Sequence, residues 1–185
     1  MPEPVPATTS LSRYEARTAA AVFERLFPAD EHGPGAGAIG VLTYLDRAVA
    51  GAYRDQAGTY RLGLAGLDLA ARQRADRPFA DCDPVDQDAL LAELEQGRLP
   101  GLEVPDQREF FALLRAHLQE GLFADPVHGG NRDKLGWRFL GHPGFWPSNT
   151  ADENLATEPV TKGGVIQSLE DVADLLQGAD GPREP

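Results

Sequence analysis

Histidines with nearby carboxylates are the residues of this 185-residue chain that could bind a metal ion or transfer protons. His128 and His142 lie on either side of an aromatic segment, close in sequence to Asp125 and Asp133. These residues lack the i, i+3 or i, i+4 register that places ligands on one helix face. His117 falls on the apolar stripe of a predicted helix, which favours a hydrogen-bonded core histidine. The sequence therefore predicts no metal site.

Motifs for nucleophilic catalysis and for nucleotide binding are also missing. No serine lies in a G-x-S-x-G turn, no predicted strand precedes a Rossmann-type glycine pattern, and Cys82 has no histidine nearby. The glycine-rich loop from Gly33 to Gly40 lacks the lysine and the preceding strand of a phosphate-binding loop. The acids beside Cys82, the only cysteine, should raise its thiol pKa, so we predict a structural role. By its residues alone, the chain is predicted to be an interaction module.

The charge balance argues against two classes of partner. The sequence has 29 acidic and 17 basic residues, a formal net charge of −12. Such a surface should repel nucleic-acid phosphates and anionic lipids. No apolar run approaches the length of a membrane span, and the N-terminus shows neither a Sec signal pattern nor a twin-arginine pair. We therefore expect no nucleic-acid binding, no membrane insertion and a cytoplasmic protein.

Apolar residues at helical spacing predict an all-α fold, a single domain of about five helices over residues 11–144. Ser12 with Glu15 indicates a capping box, and Asp83 followed by proline and Asp106 indicate two further helix starts. Residues 1–10 are expected to form a flexible N-terminal arm. Residues 145–185 are expected to form an irregular C-terminal extension with a short helix.

Two expectations concern a predicted helix from about Ala38 to Tyr53 and its neighbour. Asp46 in the first helix could be a buried carboxylate held by an arginine or a solvated residue, and solvation is the commoner fate. Gly58, Gly63 and Gly66 weaken the next helix, but small residues there also allow another helix to approach closely.

The segment from Asp125 to Gly144 combines residues that tolerate unusual backbone angles with aromatic side chains. We predict a turn in which the Asp125 carboxylate accepts backbone N–H bonds and Gly129 and Gly130 supply positive φ. This turn should place Trp137 and Phe139 against the helical core. The residues assigned to this structural or docking motif are Asp125, Pro126, His128, Gly129, Gly130, Asn131, Gly136 and Trp137.

We expect residues that follow Gly144 to form a partner interface. Phe145 and Trp146 are aromatic residues in a polar stretch, and Leu175 and Leu176 belong to the apolar stripe of the last predicted helix. A short helix with one apolar stripe must bury it against its own domain or another chain. We expect all four residues, together with the helix from about 168 to 177, to contact a partner or a neighbouring copy of the chain.

The D-P-x-x-G-G-N sequence at Asp125–Asn131, followed by Gly136-Trp137 and by Gly141–Gly144, resembles the gluconate 2-dehydrogenase subunit 3 family. Further blocks are Phe27–Asp30, Gly33–Ala36 and Tyr44–Asp46, so that the resemblance covers roughly residues 11–144. Position 128 is often aromatic in that family and is a histidine here.

The resemblance implies a small accessory subunit without catalytic residues or a cofactor of its own. Such subunits accompany a large dehydrogenase or oxidase of the glucose–methanol–choline type, which binds FAD and oxidises sugars or sugar acids. Some complexes add a haem subunit that takes the electrons. The small subunit is needed for maturation and commonly carries a twin-arginine signal, and the lack of that signal favours a cytoplasmic complex.

A rival interpretation remains open from the sequence. The chain could be a self-sufficient enzyme or small-molecule-binding protein with a pocket around Asp125, His128 and Trp137. A third possibility is a free-standing helical adaptor with an unrelated partner.

Overall fold

The computed structural model describes residues 7–102, 106–146, 149–158 and 166–178, with side chains as far as residue 173 in the last range. Within these ranges the helices are α1 (Arg13–Leu26), α2 (Ala36–Ile39), α3 (Val41–Ala50), α4 (Ala57–Ala75), α5 (Pro84–Glu95), α6 (Gln107–Phe123), α7 (Leu135–Leu140), α8 (Ala151–Leu155) and α9 (Leu169–Gly178). Short 3₁₀ turns lie at Arg54–Gln56, Phe79–Asp81, Pro126–His128 and Arg132–Lys134. The described ranges contain two isolated β-bridges and no β-strand, which confirms the all-α prediction.

Local start signals predicted the helix beginnings well. The Ser12 hydroxyl accepts the N–H of Glu15 at 3.3 Å, and the Glu15 carboxylate accepts the N–H of Ser12 at 2.8 Å, so the capping box is confirmed. The Asp83 carboxylate accepts the N–H of Asp86 at 3.0 Å, and Asp83 is followed by proline. Asp106 caps α6, because its carboxylate accepts the N–H groups of Arg108 and Glu109.

The predicted continuous helix from about Ala38 to Tyr53 is wrong in its bounds. Gly40, with a φ of 90°, separates α2 from α3, and α3 ends at Ala50. A left-handed glycine satisfies the last carbonyls of one helix and redirects the chain before the next.

The core forms where α1, α3, α4, α5 and α6 pack together. A Cβ built on Gly63 of α4 would lie 2.2 Å from the Phe110 ring of α6, so the expected close approach at this glycine is confirmed. Likewise, a Cβ on Gly121 of α6 would lie 2.9 Å from a Val41 methyl of α3. The largest fully buried side chains are Tyr60, Phe23, Phe79, Phe110, Ile39, Leu45, Leu64, Leu67, Leu90, Leu94, Leu99 and Leu114.

Asp46 is buried, so its predicted solvation is wrong. One carboxylate oxygen accepts the N–H and hydroxyl of Thr9 at 2.7 and 2.8 Å, and the other accepts the N–H groups of Ser10 and Leu11, both at 2.8 Å. Burial acts to raise the pKa of Asp46, but these hydrogen bonds outweigh it and hold the pKa below its ordinary value. The last residues of the expected flexible arm are therefore anchored to α3, whereas residues 1–6 lie outside the described ranges.

Replacing Asp46 with alanine should lower the free energy of unfolding by about 3 kcal/mol, because three backbone N–H groups lose their acceptor. A depressed pKa in the folded state stabilises the protein above the ordinary carboxyl pKa, and this contribution is lost as pH falls through the folded-state value. Urea unfolding followed by circular dichroism between neutral and acid pH measures both effects. The Asp46→Ala variant should lose less stability on acidification than the parent, and equal losses would contradict this assignment.

Candidate functional site

The loop of residues 125–137, here called the capping loop, folds back onto the C-terminus of α6. A helix end leaves its last carbonyl groups without helical partners. The backbone N–H of Asn131 donates to the carbonyl of Gly121 at 2.8 Å, and its side-chain Nδ2 donates to the carbonyl of Ala124 at 2.9 Å. The indole Nε1 of Trp137 donates to the carbonyl of Phe123 at 2.7 Å. The capping loop therefore satisfies three carbonyl groups at this helix end.

Asn131 also holds the beginning of α7. Its Oδ1 accepts the N–H of Gly136 at 2.9 Å and that of Trp137 at 3.4 Å, and the residue is fully buried. Its φ is 45°, a left-handed value that asparagine tolerates better than most residues. One amide side chain thus joins the end of α6 to the first turn of α7.

The capping loop needs glycine for two different reasons. Gly129 has a φ of 99°, which confirms the expected positive φ. The same prediction for Gly130 is wrong, because its φ is not positive. Instead, a Cβ on Gly130 would lie 2.2 Å from the carbonyl oxygen of Gly121, and one on Gly136 would lie 1.8 Å from that of Leu122. Both glycines allow the loop backbone to lie directly on α6.

Asp125 begins the capping loop as the sequence predicted. One of its carboxylate oxygens accepts the N–H of Val127 at 3.0 Å. The other accepts the N–H of Leu169, the first residue of α9, at 2.9 Å. Both carboxylate oxygens of Asp125 are therefore engaged by backbone groups, and one of them links the loop to the C-terminal helix.

The beginning of α9 packs on its own domain. Lys134 Nζ lies 2.7 Å from the Asp171 carboxylate and holds the pKa of Asp171 below its ordinary value, and Val172 is buried. The N–H of Phe145 donates to the carbonyl of Gln167 at 2.6 Å. The expectation that the whole 168–177 helix lies against a partner is wrong for its first turn.

His128 lines a cavity of about 540 Å³ whose lining does not include Asp125 or Trp137. The structure therefore does not group these three residues around that cavity. The lining residues are Tyr44, Arg47, Ala48, Ala52, Tyr53, Glu120, Ala124, Val127 and His128.

The sequence did not predict the polar centre of this cavity. The hydroxyls of Tyr44 and Tyr53 both donate to the Glu120 carboxylate. Burial, followed by the Glu120 contact, raises the pKa of Tyr44, and the negative charge of Glu120 raises that of Tyr53. These residues come from α3, from the turn after it and from α6, so no local sequence pattern connects them.

Two of the other histidines, His117 and His142, are used structurally. His117 is buried, which confirms its predicted core position, and its Nδ1 lies 2.7 Å from the Tyr60 hydroxyl. Burial lowers the pKa of His117 despite the opposing charge of Glu120. His142 packs on Trp137, and its Nδ1 accepts the N–H of Gly144 at 2.9 Å. Within the described residues, no group of three or more metal-ligating side chains comes together.

The residues assigned to a partner interface are partly described. Trp146 is 41% exposed and Phe145 is half-buried, whereas the side chains of Leu175 and Leu176 lie outside the described residues. Phe139, expected against the core, is half exposed and packs edge-on against Phe27 with ring centroids 6.1 Å apart.

The family assignment follows from a comparison with protein-family models. The model described as gluconate 2-dehydrogenase subunit 3 matches residues 13–144, more than two thirds of the chain. The chain belongs to this family. The match confirms the resemblance seen in the sequence and supports the role of an accessory subunit. Comparisons with curated proteins and with solved structures gave no match.

The gluconate 2-dehydrogenase subunit 3 match ends at the last glycine of the segment that follows α7, so the whole capping loop lies inside the matched range. The D-P-x-x-G-G-N sequence therefore corresponds to a helix-capping structure. No helix in the described part of the chain is long and apolar enough to cross a membrane.

Replacing Gly130 with alanine should destabilise the protein strongly, because the added Cβ would overlap the α6 backbone and force the capping loop away. We expect a loss of about 3 kcal/mol, comparable to losing two or three buried hydrogen bonds. Thermal unfolding measures the change, and Gly58→Ala is the matched control since a Cβ at Gly58 meets nothing within 4 Å. Equal melting temperatures for the two variants would show that the loop does not need this close contact.

Proposed function

We propose that this chain is the non-catalytic small subunit of a flavin-dependent oxidoreductase complex. It binds, matures or stabilises a large FAD-dependent subunit of the glucose–methanol–choline type that oxidises a sugar or sugar acid. The flavin belongs to the partner subunit, and a haem subunit is a possible third component. Membership of the gluconate 2-dehydrogenase subunit 3 family supports this proposal.

One structural observation carries the non-catalytic role. Three polar side chains of the family motif bond within the chain: Asp125 accepts two backbone N–H groups, Asn131 bonds through Oδ1 and Nδ2, and the Trp137 indole donates to a carbonyl, whereas His128 lines the cavity. A catalytic acid, base or nucleophile needs a free atom within reach of the substrate. The motif therefore supports a structural element that shapes a surface.

The surface that follows the capping loop is our candidate for contact with the large subunit. Phe139 and Leu140 at the end of α7 are 50% and 56% exposed, and Trp146 follows after a short glycine-containing stretch. Exposed aromatic side chains often supply much of the binding energy of an interface. Phe139 and Leu140 add to the Phe145 and Trp146 surface expected from the sequence.

A second candidate function is small-molecule binding in the cavity formed by Tyr44, Tyr53 and Glu120. Its volume of about 540 Å³ lies within the range of ligand pockets, and two tyrosine hydroxyls converge on one carboxylate there. A stoichiometric chromophore, metal ion or organic ligand in the purified chain would support this function over the accessory role.

Co-expression with the large flavoprotein subunit tests the accessory role. The small chain should increase the soluble yield or the FAD content of the large subunit, because it stabilises or matures that chain. Flavin absorbance per mole of large subunit measures the effect. A large subunit that is equally stable, active and flavin-loaded without the small chain would contradict the proposal.

Replacing Trp146 with alanine tests the interface. The variant should form less complex with the large subunit, because an exposed aromatic anchor is removed. Its melting temperature should fall less than that of Gly130→Ala, because Trp146 is 41% exposed and lies outside the capping loop. Size-exclusion chromatography of the complex and thermal unfolding of the isolated chain measure the two effects. If Trp146→Ala lowers the melting temperature as much as Gly130→Ala does, residue 146 belongs to the domain core.

A further inference from the structure

The helix α4 presents an apolar stripe to solvent on the face opposite its buried side. Its buried face includes Tyr60, Leu64 and Leu67. On the other face, Leu62 is 55% exposed and Leu69 is 46% exposed. A surface helix normally turns charged and polar residues outward, so the two leucines, one heptad apart, give α4 a second apolar stripe.

The stripe has the spacing of a helix-packing seam. It consists of Gly58, Leu62, Ala65 and Leu69, which follow one another at intervals of 4, 3 and 4 residues. This alternation keeps side chains in line along a helix and is the pattern that receives a second helix. Gly58 and Ala65 are also exposed, so the seam is open along its length.

Arginines line one edge of this stripe. Arg61 and Arg72 are three turns apart on the same side of the helix. Arg61 and Arg72 are exposed although they contact Glu15 and Asp68, respectively. The only acidic residue within α4 is Asp68, which is buried. The exposed charged residues of α4 itself are therefore all arginines, in a chain whose net charge is −12.

We propose that this face of α4 docks an amphipathic helix of a partner protein that carries apolar residues at 3–4 spacing and carboxylates along the edge facing the arginines. The carboxylates would pair with Arg61 and Arg72, while the apolar residues would cover Leu62 and Leu69. This docking surface is separate from the Trp146 surface and does not require the partner to be a flavin-dependent subunit.

A second copy of the chain fits this face poorly. Two copies docked through α4 would each contribute exposed arginines and no exposed carboxylate from that helix. Like charges brought together in an interface oppose association, whereas opposite charges fix its partner and register. The charge pattern therefore favours an acidic helix over self-association.

The test uses the full chain and a labelled synthetic helix as the probe. The peptide is about three heptads long, with leucine at the seam positions and glutamate beside them, and a matched peptide carries lysine in place of each glutamate. Fluorescence anisotropy should show at least tenfold tighter binding of the glutamate peptide, and this preference should shrink as salt is added. Equal binding of both peptides, or no binding of either, would overturn the proposal.

Protein variants locate the site of binding. The double variant Leu62→Gln/Leu69→Gln should weaken binding of the glutamate peptide about tenfold or more, and Arg61→Gln should reduce the preference for glutamate over lysine. Val85→Gln, at a residue of α5 that is 78% exposed, is the matched control and should bind normally. All these side chains are exposed, so the melting temperatures should stay close to that of the parent.

Two results would reject the assignment. One is a loss of binding in Val85→Gln as large as that in the double variant, because binding would then not be specific to α4. The other is a dimer of the unmodified chain, seen by sedimentation velocity, that Leu62→Gln/Leu69→Gln dissociates. That dimer would identify the occupant of this face as a second copy.

Discussion

The amide side chain of Asn131 connects the C-terminus of α6 to the N-terminus of α7, and the capping loop is arranged around it. Each buried carbonyl or N–H group left without a partner would cost about 1–3 kcal/mol. Asn131 removes this cost at both helix ends, since it donates to Ala124 and accepts from Gly136. Only glycine fits at positions 130 and 136, because the loop backbone lies in contact with the α6 backbone there.

This arrangement gives the distinctive family sequence a structural role at the end of α6. The residues that identify the family satisfy backbone groups, and they fix the direction in which the chain leaves α6. The segment after α7 then carries exposed apolar residues, and the beginning of α9 returns to bind Asp125 and Lys134. We infer that the function of the domain lies in the surfaces that this junction positions.

The fold was predictable where signals are local. Ser12, Asp83 and Asp106 act on N–H groups two or three residues away, so a single sequence reveals the helix starts. The burial of Asp46 was not predictable in this way, because its hydrogen-bond partners lie 35–37 residues earlier in the sequence. The packing of α1 on α3 brings them together. The same limit applies to the Glu120 cluster and to Gly130, whose requirement for glycine comes from the neighbouring helix backbone. The exposed leucines of α4 follow a regular spacing, but only the structure shows which of its two apolar faces is buried.

Stability of the Asn131→Asp variant as a function of pH tests the central role of this amide most directly. The substitution keeps the shape of the side chain but places a carboxylate oxygen near the Ala124 carbonyl, at the negative end of a helix. The account predicts a loss of about 3 kcal/mol in the free energy of unfolding at neutral pH. This environment raises the folded-state pKa of the introduced carboxyl, so the deficit relative to the parent should shrink as pH falls toward about 4 and protonation restores a donor. A variant as stable as the parent at neutral pH would contradict the account.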